Sequence, residues 1–220
     1  MRGENMKIEF WLDYLCPKCY LQHQAIEELI KTYDMKDIEL VCRSYEMVEA
    51  KYFDANEPYE QFISRHKNLP VEEVKTFLDE NEFNLDLFKI HDAHRLAHLA
   101  KKEKKSQLFN HLIFEAIYEK HQDLSDHQLL REIALKADLD QNLTEEILNS
   151  DLYSTQVISN RENAQLKGIY ELPFMRINGK IKLQGLQSVD QIVKTLNQSF
   201  GMLKDIEFCE GENCVRKRRQ

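Results

Sequence analysis

Lys7-Ile8-Glu9-Phe10-Trp11-Leu12-Asp13, followed directly by Tyr14-Leu15-Cys16-Pro17-Lys18-Cys19-Tyr20, runs from strand character straight into a helix. Ile8, Phe10 and Leu12 recur at period two, which predicts a strand over 7–13 with these residues on one face. From Pro17 to Tyr33 the apolar residues Leu21, Ala25, Ile26, Leu29 and Ile30 fall at helical spacing. A second strand is expected over 38–45, Ile38 to Tyr45, after a short connection through Asp34 to Asp37. A strand, a helix and a strand joined this tightly form a βαβ unit, so the two strands run parallel.

Downstream of this unit strand character stops for over a hundred residues. Helical periodicity predicts segments near 58–66, 70–80, 90–103, 105–120, 126–137, 143–149 and 152–167. Pro70 suits a first helical position, and Ser125 and Asn142 suit N-caps. Strands return at Pro173 to Leu183, where Asn178-Gly179 supplies the positive φ of a type I′ hairpin turn. A final helix is expected over 188–200, with Val189, Ile192, Val193 and Leu196 on one face. The order β-α-β, helices, β-β-α describes an α/β fold split by a large all-helical insertion. The expected boundaries are 1–55 with 165–204 for the discontinuous α/β domain, 56–164 for the insertion and 205–220 for a mobile tail.

Composition narrows the function. The 220 residues are 42% apolar and 31% charged, an ordinary globular balance that excludes disorder and low-complexity readings. A formal net charge of −8 argues against nucleic acid as the main partner, since binding phosphates needs a basic face. No apolar run is long enough to span a bilayer, and Met1 to Phe10 lacks a secretory signal pattern, so the expectation is a cytoplasmic protein with no membrane partner. Five cysteines, an odd number, do not suit a structural disulfide framework in a reducing compartment.

Cys16 and Cys19 sit where the first strand gives way to the first helix. Pro17 fits the first helical position, which puts Cys16 at the N-cap. There it meets the free N–H groups of the first turn and the positive end of the helix dipole. The ammonium of Lys18 is expected to help. All three effects lower the Cys16 pKa and make it the attacking thiol, with Cys19 in the first turn as the resolving one. The alternatives are two thiols without a role, or a structural zinc site that also recruits Cys209 and Cys214.

The segment Phe10 to Tyr20 resembles the active-site region of the DsbA-like thioredoxin-fold oxidoreductases, and most of all their FrnE-like branch, whose usual form is Ser-Asp-x-x-Cys-Pro-Trp-Cys-Tyr. Asp92-Ala93-His94-Arg95-Leu96 is similar to a helical motif of that branch, and Glu171-Leu172-Pro173-Phe174-Met175-Arg176-Ile177-Asn178-Gly179 to its Gly-Val-Pro-x-Phe-x-Ile-Asn-Gly segment. The resemblance spans about residues 7–200 and implies a thioredoxin-like fold with an inserted helical domain. It also implies that Pro173 is a cis-proline facing the cysteines, with Leu172 offering backbone to an extended substrate, and that His94 and Arg95 lie near the interdomain cleft, where His94 tunes Cys16 or contacts substrate. Two departures stand out: Pro17-Lys18 between the cysteines where the branch has Pro-Trp, and Glu171-Leu172 where it has Gly-Val. The first bears on redox tuning and the second on substrate preference.

Other residues are weighed beside these. His91, His94 and His98 share one helical face, as metal ligands or as packing residues. Cys42 reads as a buried inert thiol. Cys209 and Cys214 form either a second redox pair able to exchange with the first or two uncoupled tail thiols. Arg216 to Arg219 reads as a solvated basic tail. The expected function is thiol–disulfide exchange on protein or peptide disulfides, with glutathione a further partner and no cofactor or metal required. The oligomeric state is not set by these features. The competing readings are a glutathione-dependent transferase or isomerase of the kappa or 2-hydroxychromene-2-carboxylate isomerase type, and a non-catalytic peptide-binding module or chaperone.

Overall fold

A computed structural model describes residues 6–32, 38–49, 52–54 and 56–204. The first strand, β1 (Met6–Leu12), leads through a tight turn into α1 (Pro17–Thr32) and then β2 (Ile38–Ser44). β1 and β2 pair in parallel from Met6 opposite Ile38 to Leu12 opposite Ser44. Helices α2 (Tyr59–Lys67), α3 (Val71–Glu80), α4 (His91–Lys102), α5 (Ser106–Tyr118), α6 (His127–Lys136), α7 (Gln141–Leu148) and α8 (Ser154–Leu166) follow. The chain then returns to the sheet through β3 (Phe174–Ile177) and β4 (Ile181–Gln184) and closes with α9 (Val189–Lys204). β3 runs antiparallel to β1 and β4 antiparallel to β3, giving the order β2-β1-β3-β4. This is the α/β fold with a helical insertion that the element order predicts, and the thioredoxin-like fold that the resemblance implies. No helix among the described residues is long and apolar enough to cross a membrane.

Asn178 and Gly179 both have positive φ, and the Lys180 N–H donates to the Ile177 carbonyl at 2.9 Å. That is the hairpin turn Asn-Gly favours, because glycine meets no Cβ penalty there and asparagine little. Asn178 adds a second function: its Oδ1 accepts from the Lys7 N–H at 2.7 Å, tying the turn to the start of β1.

β1 departs from the half-buried strand that its alternation suggests. Ile8, Phe10 and Leu12 are buried as expected, but so are Glu9, Trp11 and Asp13 on the opposite face. Phe174 packs edge-on against Trp11 at 5.6 Å, and the guanidinium groups of Arg43 and Arg176 lie over the same ring. Glu9 accepts from both arginines at 2.5–2.7 Å. A central strand covered on both sides can keep a charge only where it is paired.

Two expected caps move by one or two residues. Asp126, not Ser125, caps α6 by accepting from the Gln128 N–H. The Ser125 N–H is already donated to Asp123 Oδ1 at 2.7 Å, which places Ser125 inside an Asx turn one residue too early. Asp140, not Asn142, caps α7, accepting from the Leu143 N–H at 2.9 Å, and Asn142 lies within the helix. Pro70 is the residue before α3 rather than its first.

Candidate active site

The turn between β1 and α1 is built around Asp13. Its Oδ1 accepts from the Leu15 N–H at 2.7 Å and its Oδ2 from the Met47 N–H at 2.6 Å. One carboxylate thus shapes the approach to Cys16 and ties it to the chain beyond β2. The Cys16 N–H donates to the Asp13 carbonyl at 3.2 Å. Two tyrosine hydroxyls from the helical block hold the remaining carbonyls of the turn. Tyr118 donates to Tyr14 at 3.1 Å and Tyr59 to Leu15 at 2.5 Å. Tyr14 in turn donates to Asn110 Oδ1 at 2.8 Å.

Cys16 is the residue before α1, and its carbonyl accepts from the N–H groups of Cys19 and Tyr20 at 2.8 and 3.2 Å. Burial pushes its thiol up, but the Cys19 thiol donating to it, the Lys67 ammonium and the backbone N–H groups of Cys19 and Lys18 bring it down to about 6. Cys19 moves the opposite way. Burial raises its pKa well above the usual range, and donating to Cys16 raises it further. Two thiols within one helical turn are thereby split into a ready nucleophile and a proton holder.

Lys18 does not act as expected. Its ammonium lies over the Phe77 ring at 5.3 Å, and only its backbone N–H serves Cys16. The cation is Lys67, at the end of α2 in the inserted block. Its Nζ donates to the Leu172 carbonyl at 3.1 Å. Burial works against its charge, yet the fields of Cys16, Cys19, Asp13 and Glu171 raise its pKa above the usual lysine value.

The Leu172–Pro173 peptide is cis, as the resemblance implies. Trp11 pairs with Phe174, so Pro173 stands level with the end of β1, where the turn to Cys16 begins. The pair, the proline and Leu172 therefore come together at one end of the sheet, with Pro17 opening α1 beside them.

His94 and Arg95 do not join them. His94 is fully buried and stacked on Tyr14 at 4.5 Å, and neither ring nitrogen has a hydrogen-bond partner. Burial drives its pKa far below the usual histidine value, so it is a neutral packing ring. Arg95 is held by the carbonyls of Ile147, Ser150 and Leu152 and by Asp92, joining α4 to the segment between α7 and α8. His91 contacts Glu46 and Ser154, and His98 contacts Ser44 and Asn160. The three histidines thus diverge to separate partners, and no described cluster of three or more His, Cys, Asp or Glu has metal-site geometry. Cys42 is buried in β2 and burial pushes its thiol up to about 12. Cys209 and Cys214 lie outside the described residues.

Tyr59, Lys67 and Tyr118 carry no motif of their own, and Asp13 stands where the Ser-Asp-x-x-Cys form has its aspartate. Asp13 alone left a trace, as a carboxylate directly following an apolar strand and three residues before Cys16.

A thioredoxin-like sheet with a cysteine at the N-cap of its first helix and another one turn in defines a dithiol class of protein. Residues 7–197 match the DSBA-like thioredoxin domain, and the chain belongs to that family. It is 27% identical over 140 residues to the protein YwbO of Bacillus subtilis, covering 62% of this chain and 68% of that one. A structure described as a probable DsbA oxidoreductase from Streptomyces coelicolor superposes with a TM-score of 0.76 at 21% identity, over 96% of both chains. A 2-hydroxychromene-2-carboxylate isomerase superposes at 0.66 with 14% identity, over 90% of this chain and 98% of that one. At these identities both likenesses speak to the fold.

Proposed function

We propose that the protein exchanges thiols and disulfides with protein or peptide substrates through Cys16 and Cys19. The observation that carries this is the opposite polarisation of the two thiols at the start of α1. Cys16 receives backbone N–H groups and a thiol donor, while Cys19 gives its hydrogen to Cys16. The Cys16 thiolate attacks one sulfur of a substrate disulfide. A Cys16–substrate S–S bond forms as the substrate S–S bond breaks, and the departing sulfur takes the electron pair and a proton from solvent. Cys19 then attacks the Cys16 sulfur, its proton passing to the second substrate sulfur as that leaves. Two electrons have moved to the substrate, and a Cys16–Cys19 disulfide remains. Two partner thiols, glutathione among them, or one dithiol return the pair to the reduced state and leave as a disulfide. Run backwards, the same steps oxidise a substrate dithiol.

Leu172 and Pro173 serve as the edge along which an extended substrate lies, its backbone pairing with Leu172 beside Cys16. A peptide carrying one internal disulfide tests the scheme. Cys19→Ser accumulates a covalent adduct on Cys16, seen as a mass increment, and Cys16→Ser forms none and loses turnover. Turnover that survives Cys16→Ser would overturn the proposal and point to a glutathione-dependent enzyme, and peptide binding unaffected by Cys16→Ser in a native protein without turnover would point to a binding module.

A further inference from the structure

We propose that Lys67 is the positioning residue of this centre and the clasp of a cap formed by α2 and α3, held shut by the reduced pair and released when the pair is a disulfide. The inference rests on the exchange reading above and adds a residue and a gate to it.

Access is the first argument. Cys16 is only 1% exposed and Cys19 is fully buried. In the oxidising direction a substrate thiolate must come in line with the Cys16 sulfur of the disulfide. In the state described, Cys16 is covered, so it is reached only when part of the surrounding structure moves.

The contacts of α2 and α3 identify that part. Tyr59, at the start of α2, donates to the Leu15 carbonyl next to Cys16. Phe77 of α3 lies under the Lys18 ammonium. Phe83, just past α3, meets Tyr20 and Tyr118 edge-on at 5.9 and 5.4 Å. These contacts tie the pair down along its rim, and Phe62, Ile63, Val74 and Leu78 bury its inner face. Neither helix joins the sheet. Elements that open for a substrate are drawn from the low-stability end of a fold.

Lys67 is the contact that depends on the chemistry. Its Nζ holds the Leu172 carbonyl, the acceptor that a substrate backbone N–H would need. The charged and titratable groups that act on it are Cys16 just before α1, Cys19 from α1, Asp13 from the turn before α1, Tyr45 just past β2 and Glu171 from the segment before β3. Tyr59 from α2 and Tyr118 from α5 complete the groups around Cys16. While Cys16 is a thiolate, the ammonium is held over the site, the Leu172 acceptor is occupied and the cap is closed. Once Cys16 is bonded to Cys19 the negative charge is gone. The desolvation cost of the lysine then favours its release to water. An open edge in the disulfide form admits a dithiol substrate, and reduction of the pair recloses the edge on the departing product.

The test is the pH dependence of Cys16 alkylation by iodoacetamide, read by mass spectrometry at that peptide alone. Its midpoint reports the charge on Lys67 and its high-pH plateau reports access. In Lys67→Met the midpoint rises by about one pH unit or more, as expected for loss of a nearby cation. The plateau rate rises several-fold. Lys67→Arg, which keeps the charge and a donor, returns both towards the native curve. A native midpoint and plateau in Lys67→Met would overturn the proposal. The assay needs only a free thiol, so it can fail while disulfide exchange stands, and succeed if exchange fails. Should Lys67→Met not fold, hydrogen exchange on the native protein decides. Amides of α2 and α3 exchange several-fold faster in the disulfide form than in the reduced form, with β1 unchanged. Equal rates in the two forms would overturn it.

Discussion

Two carboxylates four residues apart on the same face of the first strand meet opposite fates. Glu9 is 4% exposed and Asp13 1%, so both are taken out of water, Asp13 the more deeply. Burial pushes Glu9 up, but Arg43 and Arg176 hold it below the ordinary glutamate range. Asp13 has only two backbone N–H groups against a larger burial cost and the charges of Cys16 and Glu46, and is pushed up to about 7. The Glu9 end of the strand is neutralised and structural. The other end keeps a carboxylate near its titration point beside a thiolate and a lysine. Depth sets the cost of a buried charge, and the partners at hand decide whether it is inert or poised.

The Asp13 end gives the larger effect. Its folded pKa lies above the unfolded value, so the folded state binds more protons between about pH 4 and 7. Stability therefore falls as pH rises through that window, by about 4 kcal/mol in all for a shift from 3.8 to about 7. Cys16 acts in the opposite sense. Its folded pKa is depressed, so in the reduced protein it adds stability that is full above about pH 9 and lost as pH falls to about 6. Urea unfolding of native protein and Asp13→Asn side by side isolates the Asp13 part, because Cys16 contributes to both. The variant carries a roughly constant offset from one lost acceptor and lacks the fall between pH 4 and 7. Equal slopes in the two proteins would remove the distinction between the carboxylates.

At the Glu9 end, Glu9→Gln leaves Arg43 and Arg176 without their counter-charge over Trp11. The expected loss is about 2–3 kcal/mol, near the lower end for breaking a buried ion pair because both arginines keep some access to water. The Cys16 alkylation midpoint stays in place. A shifted midpoint would mean that the two ends of the strand are electrically coupled.

The sheet and helices were legible because their signals are local. Period two in Ile8, Phe10 and Leu12, the Asn178-Gly179 turn and the helical spacing from Tyr59 onward each place an element within a few residues of its observed limits. The position of Cys16 before α1 was legible for the same reason. What the chain hides is tertiary. Lys67 reaches a carbonyl 105 residues away, and nothing in its neighbours marks it. Lys18 looked like the helper because it adjoins both cysteines, but its helical position aims it at Phe77 instead. His94 sits in a motif that suggested the cleft, yet Tyr14 stacks over it and seals it in the core. The second face of β1 reads as exposed until the strands and arginines that cover it are in place.

The central claim is that Cys16 and Cys19 form a working dithiol. Equilibration in glutathione buffers of graded potential, followed by alkylation and peptide mass spectrometry, tests it most directly. The account predicts a reversible Cys16–Cys19 disulfide with a potential between the roughly −270 mV of thioredoxin and the roughly −120 mV of DsbA, as a nucleophile near pH 6 requires. Cys42 stays reduced and slow to alkylate throughout, since burial pushes its thiol up to about 12. If Cys16 and Cys19 remain unpaired across the whole range of buffers, the account is contradicted.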